Sequence, residues 1–140
     1  EIAKLFPHII VSEEACPMWV PLVENGEADS PGADYYVRKH LDALLSKDKA
    51  IDTIVLACTH YPLLRQKIKR LITPSITVVS QGEYVASSLQ DYLGRHTEMD
   101  ARLSKSGSIR YLTTEQADKF AEKASVFLEE KVQAEQATID

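Results

Sequence analysis

Short apolar runs alternate along this chain with stretches whose apolar residues recur at helical spacing. That alternation constrains the fold more than any other feature. Residues 8–11, 52–57, 76–79 and 108–112 read as strands. Between them, Val37, Leu41, Leu44 and Leu45 stripe a helix over 34–47, and Leu64, Ile68 and Leu71 stripe a second that ends before Pro74. Val85, Leu89 and Leu93 stripe a third that stops near Gly94. Phe120, Ala121, Ala124, Phe127 and Leu128 stripe a fourth. Two patterns, 80–83 and 113–116, match a capping box. The order β-loop-α-β-α-β-α-β-α predicts the α/β class, a parallel sheet flanked by helices. The run 52–57 is continuously apolar enough for a strand covered on both faces. Residues 16–26 hold two prolines and read as an apolar loop, 96–107 as an exposed polar loop, and the tail from Gln133 as frayed. Ile2, Leu5 and Phe6 share the face of a helix that Pro7 ends, which suggests a chain starting inside a larger protein.

Composition narrows the function. The formal charge is −5 and Lys and Arg are scattered, which argues against nucleic acid as a partner. The one basic cluster, 65–70, reads as the wet face of a helix. No apolar run approaches the ~20 residues of a membrane span, and the start does not resemble a signal peptide. Two cysteines more than forty residues apart, Cys16 and Cys58, form neither a disulfide framework nor a CxxC metal or redox pair, so reduced thiols and a cytoplasmic location are expected and no metal site is.

The stretch "IDTIVLACTHYP" delivers Cys58, Thr59 and His60 to the end of a strand, just where a helix begins. In open α/β sheets ligands gather at the carboxyl ends of strands. A helix start favours an anion, hence a thiolate, and His60 could pair with it. The plainer alternative is that Cys58 packs as a small hydrophobe and His60 is an ordinary loop histidine. Cys16, beside Pro17 and without a neighbouring charge, reads as structural.

"ACTHYPLL" (57–64) resembles an active-site motif of the glutamate racemase family, and "EACPMWVPLVENG" (14–26), "SQGEYVASSLQDYL" and "IRYLTTEQADKFAEKASVFL" are similar to further segments of that family in the same order. Ala57 stands where Gly is common in the family. The resemblance implies a two-domain α/β fold with the active site in the cleft between domains. It also implies cofactor-independent interconversion of L- and D-glutamate, used for peptidoglycan, by two cysteines on opposite faces of the substrate α-carbon. It makes Cys58 the second-domain catalytic cysteine, Thr59 a substrate-holding residue, and His60 an assistant to proton transfer. Glu24 becomes the carboxylate that orients His60, with Glu27 as a rival. The family's first catalytic cysteine lies in a Cys-Asn-Thr motif that this chain lacks, and Cys16 is followed by Pro and Met. The chain therefore reads as the carboxyl-terminal half of the enzyme. Residues 1–79 form most of the second domain, and 80–140 return toward the first. A homodimer is expected of the intact enzyme, and this half alone should not racemise. Two other readings stay open: an amino-acid-binding module without chemistry, and a thiol hydrolase using Cys58 and His60. An incomplete domain should also expose apolar surface, with Phe6 and Trp19 as candidates.

Overall fold

The computed structural model describes residues 2–139. The chain divides between Gln81 and Gly82 into two compact units.

The first unit opens on a single turn, α1 (Ile2–Leu5), which Pro7 ends. Residues 8–11, expected as a strand, run instead as irregular, largely exposed chain, with Ile10 84% exposed. A strand needs a partner for its ladder, and none of the described strands pairs with this run. The expected loop 16–26 contains a short helix, α2 (Trp19–Glu24). Pro21 is its third residue, where the missing N–H would have had no intrahelical acceptor, so the ring is tolerated. Trp19 is buried rather than exposed, and its indole N–H donates to the Tyr36 carbonyl at 3.3 Å; Phe6 is half exposed.

Helix α3 (Pro31–Lys47) starts three residues earlier than its apolar stripe implies. Ser30 caps it, accepting from the Ala33 N–H at 3.2 Å, and Pro31 occupies the first position. Then come β1 (Thr53–Leu56), a 3₁₀ turn (Tyr61–Leu64), α4 (Arg65–Leu71) and β2 (Thr77–Ser80). The two strands pair in parallel, Ile54 beside Val78 and Leu56 beside Ser80. Those four face inward and are buried. Val55 is 54% exposed, so β1 is covered on one face only, against the two-sided burial expected. Period-two burial follows directly from the pleat.

The core of this unit joins Val37 and Leu41 of α3, Leu56 of β1, and Leu64 and Ile68 at the 3₁₀–α4 junction. Leu64 is fully buried. Leu64→Ala should lower the stability of this unit by about 2–5 kcal/mol, as cavity-forming core truncations do. Urea unfolding measures it, and a loss below about 1 kcal/mol would place Leu64 outside the core.

Helix α5 (Gln81–Arg95) follows Ser80 directly and, apart from its first residue, belongs to the second unit. Its expected inner stripe is open: Val85 is 63% exposed and Leu89 54%. Gly94 lies within the last turn. The expected polar loop includes the one-turn helix α6 (Thr97–Asp100). β3 (Tyr111–Thr113) is followed by α7 (Ala117–Leu128), whose stripe is half buried at Phe120, Ala121, Ala124 and Phe127 but exposed at Leu128. The Thr113 hydroxyl accepts from the Glu115 N–H at 3.1 Å, a tight side-chain turn in place of the expected box. The tail is not frayed throughout: β4 (Ala134–Gln136) pairs in parallel with β3, Tyr111 beside Ala134. The Ser125 hydroxyl accepts from the Val132 N–H at 2.9 Å and so anchors the return from α7 to β4. The architecture is α/β with small parallel sheets flanked by helices, as expected in class, but among the described residues there are two two-stranded sheets in place of one.

Candidate functional site

Cys58 lies two residues past β1, part-exposed, so the strand end delivers its sulfur to a position that solvent reaches. The next residues do not start the expected helix. Residues 61–64 form the 3₁₀ turn, and its opening is closed by the Tyr61 N–H donating to the Cys58 carbonyl at 3.2 Å. Pro62 sits inside that turn. Cys58 therefore stands off the N-terminus of α4, and the helix dipole does less for its sulfur than the sequence implies.

The turn aims His60 across to α2. His60 Nε2 lies 2.6 Å from Glu24 Oε1. His60 Nδ1 lies 3.9 Å from Cys58 Sγ and 3.4 Å from Thr59 Oγ1. A carboxylate only accepts, so Nε2 carries the proton. In the neutral ring Nδ1 is then an acceptor facing the thiol and the Thr59 hydroxyl; in the protonated ring it is a donor to them. The chain thus holds an imidazole between a carboxylate and a thiol, the group that proton transfer to and from sulfur needs. Glu24 and His60 are both partly accessible, with side chains 32% and 25% exposed. Thr59 is exposed. Of the two carboxylates weighed for His60, Glu24 makes the bond. Glu27 is exposed, and its N–H closes the α2–α3 turn on the Leu22 carbonyl at 2.8 Å. Gly26 permits that turn with φ +73°.

Packing behind the site keeps the turn in place. The Tyr61 ring meets Trp19 edge-on at 4.8 Å, and its hydroxyl donates to the Cys16 carbonyl at 3.4 Å. Burial, then the adjacent Cys16 thiol, hold the Tyr61 phenol above its usual range. Cys16 is buried, and its thiol donates to the Glu14 carbonyl at 3.6 Å. Burial, reinforced by the Glu14 charge, pushes the Cys16 thiol up to about 11. It is a packing residue, as its setting in the sequence suggests.

A polar cluster that the motifs do not reveal lies alongside. Glu14 Oε2 pairs with Lys47 Nζ at 2.8 Å, and Glu14 Oε1 with His40 Nδ1 at 2.9 Å. The Lys47 bond, then His40, holds the Glu14 carboxyl below its usual range. Glu14 and His40 border a cavity of about 50 Å³ with Cys16, Trp19 and Tyr61. That is far below the ~300 Å³ at which ligand pockets begin. Lys67, expected on a wet face, is buried; spacing could have shown this, because it lies three residues after Leu64 on the same inner face. Among the described residues no group of three or more His, Cys, Asp or Glu side chains is placed to hold a metal ion, and no helix is long and apolar enough to cross a membrane.

No family model matches the chain. Individual proteins do. A glutamate racemase of Paracoccus denitrificans is 37% identical over 127 residues, covering 91% of this chain and 45% of that protein. The solved structure of a glutamate racemase isoform from Bacillus anthracis superposes with a TM-score of 0.81 at 27% identity, over 99% of this chain and 50% of that one. A glutamate racemase from Francisella tularensis, solved in complex with D-glutamate, superposes at 0.82 and 23% identity over 99% of this chain and 51% of that one, a likeness of fold. The chain spans about half the length of the relatives it matches.

Proposed function

The chain is homologous to glutamate racemases over nearly its whole length, and we propose that it supplies one of the two proton-transfer groups of such an enzyme. The observation that carries this is the Cys58–His60–Glu24 arrangement, with the imidazole bonded to the carboxylate at 2.6 Å and the thiol 3.9 Å from its other nitrogen. In this reading residues 1–79 belong to one domain of the enzyme and 80–140 return toward the other. Substrate glutamate is held in part by Thr59. Cys58 as thiolate takes the α-proton of L-glutamate; His60 keeps the proton near the sulfur, and Glu24 fixes the ring so that Nδ1 faces it. The carbanion has to be stabilised by preorganised donors with water excluded. Inversion needs a second thiol on the opposite face. Cys16 is unsuited to that, being buried, with its carbonyl tied to Tyr61 and its thiol held protonated. The intact enzyme works without cofactor, in the cytoplasm, as a homodimer, and makes D-glutamate for peptidoglycan.

The test is circular dichroism of L-glutamate incubated with this chain. A single proton-transfer group returns a proton to the face it left, so no D-glutamate accumulates. Turnover to the racemate that disappears in Cys16→Ala would overturn the assignment.

A further inference from the structure

Lys67 is a buried charge that the proton-transfer group does not use. Its side chain is 5% exposed, within the inner face of α4 beside fully buried Ile68. Its ammonium pairs with the Asp34 carboxylate and lies 3.5 Å from the Ser30 carbonyl. The Lys67 bond holds the Asp34 carboxyl below its usual range. Burying an ammonium costs free energy that one ion pair rarely recovers in stability, and an apolar side chain of similar length generally folds as well. The placement calls for another account, and it lies in which segments are joined. Ser30 and Asp34 form the start of α3, six and ten residues after Glu24, across a turn tied by hydrogen bonds from Glu27 to Leu22 and from Ser30 to Glu27. Lys67 lies seven residues after His60, across the 3₁₀ turn and into α4.

We infer that Lys67 is a positioning residue: with Asp34 and Ser30 it clamps the α2–α3 turn to the segment carrying His60, and so sets the Glu24–His60 bond. The ion pair and the carboxylate–imidazole bond join the same two stretches of chain from two sides. With both in place the two segments are tied at two points; with one lost, Glu24 and His60 can separate by the ångström or so that takes a 2.6 Å contact beyond hydrogen-bond reach. This inference rests on the reading of Cys58, His60 and Glu24 as a proton-transfer group.

The experiment uses the full chain and two readouts. The first is the rate of Cys58 alkylation by iodoacetamide at pH 8, read on the Cys58 peptide by mass spectrometry. The second is the His60 Nε2–H resonance in ¹⁵N-labelled protein, which persists only while the ring donates to Glu24. Glu24→Gln should slow Cys58 alkylation about tenfold, the low end of what one charge-assisted hydrogen bond is worth. Lys67→Met should slow it by a similar factor and broaden the Nε2–H resonance while the urea midpoint holds. Lys67→Met combined with Glu24→Gln should be no slower than Glu24→Gln alone, because both act through one bond. Asp34→Asn breaks the clamp from its exposed side and should shift both readouts in the same direction. If Lys67→Met and Asp34→Asn leave the resonance sharp and the rate within twofold, Lys67 only packs and the inference is wrong. If Glu24→Gln itself leaves the rate unchanged, the reading of the site fails and this inference falls with it.

Discussion

Iodoacetamide at pH 8 should modify Cys58 and spare Cys16, with rates differing at least ~100-fold in the folded chain. The thiolate is the species that reacts, and the two thiols differ in both access and ionisation. Cys16 is 7% exposed, and its thiol is pushed up to about 11 by burial and the Glu14 charge. At pH 8 roughly one Cys16 in a thousand is ionised, and that one is covered by its neighbours. Cys58 is part-exposed at the end of β1 and has an imidazole 3.9 Å away to take its proton. Mass spectrometry of the digested protein separates the two sites. In urea the environments vanish and the rates should converge to within about threefold, which makes unfolded chain the internal control. Equal labelling in the folded protein would mean that Cys16 is not packed beneath Glu14 and Tyr61.

The second large effect concerns chemistry at carbon. Cys58→Ala should reduce exchange of the glutamate α-hydrogen with solvent by about 10³-fold or more, the scale of losing a positioned general base. His60→Asn should cost less, about 10–100-fold, because the sulfur remains and only its proton relay is lost. Thr59→Val should act chiefly on apparent affinity, since the proposed mechanism has its hydroxyl hold substrate and not carry the proton. A ranking with His60→Asn more severe than Cys58→Ala would favour a histidine base and remove the sulfur from the centre of the mechanism. A thiol hydrolase would differ again, showing an acyl-enzyme burst with an ester substrate.

The pieces of fold legible in the sequence are those set by local pattern. The period-3.6 stripes of α3 and α4 and the β-branched runs of β1 and β2 lie within a few residues of their places, because backbone geometry and burial agree there. The misread pieces are those where pattern and partner part ways. Residues 8–11 have strand composition but no neighbour to pair with among the described strands. Residues 134–136 carry no strand signal in sequence yet pair with β3, which only tertiary placement decides. Pro21 suggests a loop unless its place in the first turn is known. The stripe of α5 is amphipathic, yet Val85 and Leu89 are exposed, so period alone does not show what covers a face. At the site, the Cys58–His60 pair is legible because the two residues are neighbours in the chain. The choice of Glu24 over Glu27 needs the α2 helix, which the two prolines conceal. The Glu14–His40–Lys47 cluster and the Lys67–Asp34 pair join residues 26 to 33 positions apart, and no motif marks them.

The proposed role of Cys58, with His60 and Glu24, is to move a proton at the α-carbon of an amino acid. Proton NMR of L-glutamate in D₂O with this chain tests it most directly. The α-proton signal should fade while the amino acid remains L, and should persist with Cys58→Ala. An α-proton signal that decays no faster with the parent chain than in buffer would contradict it.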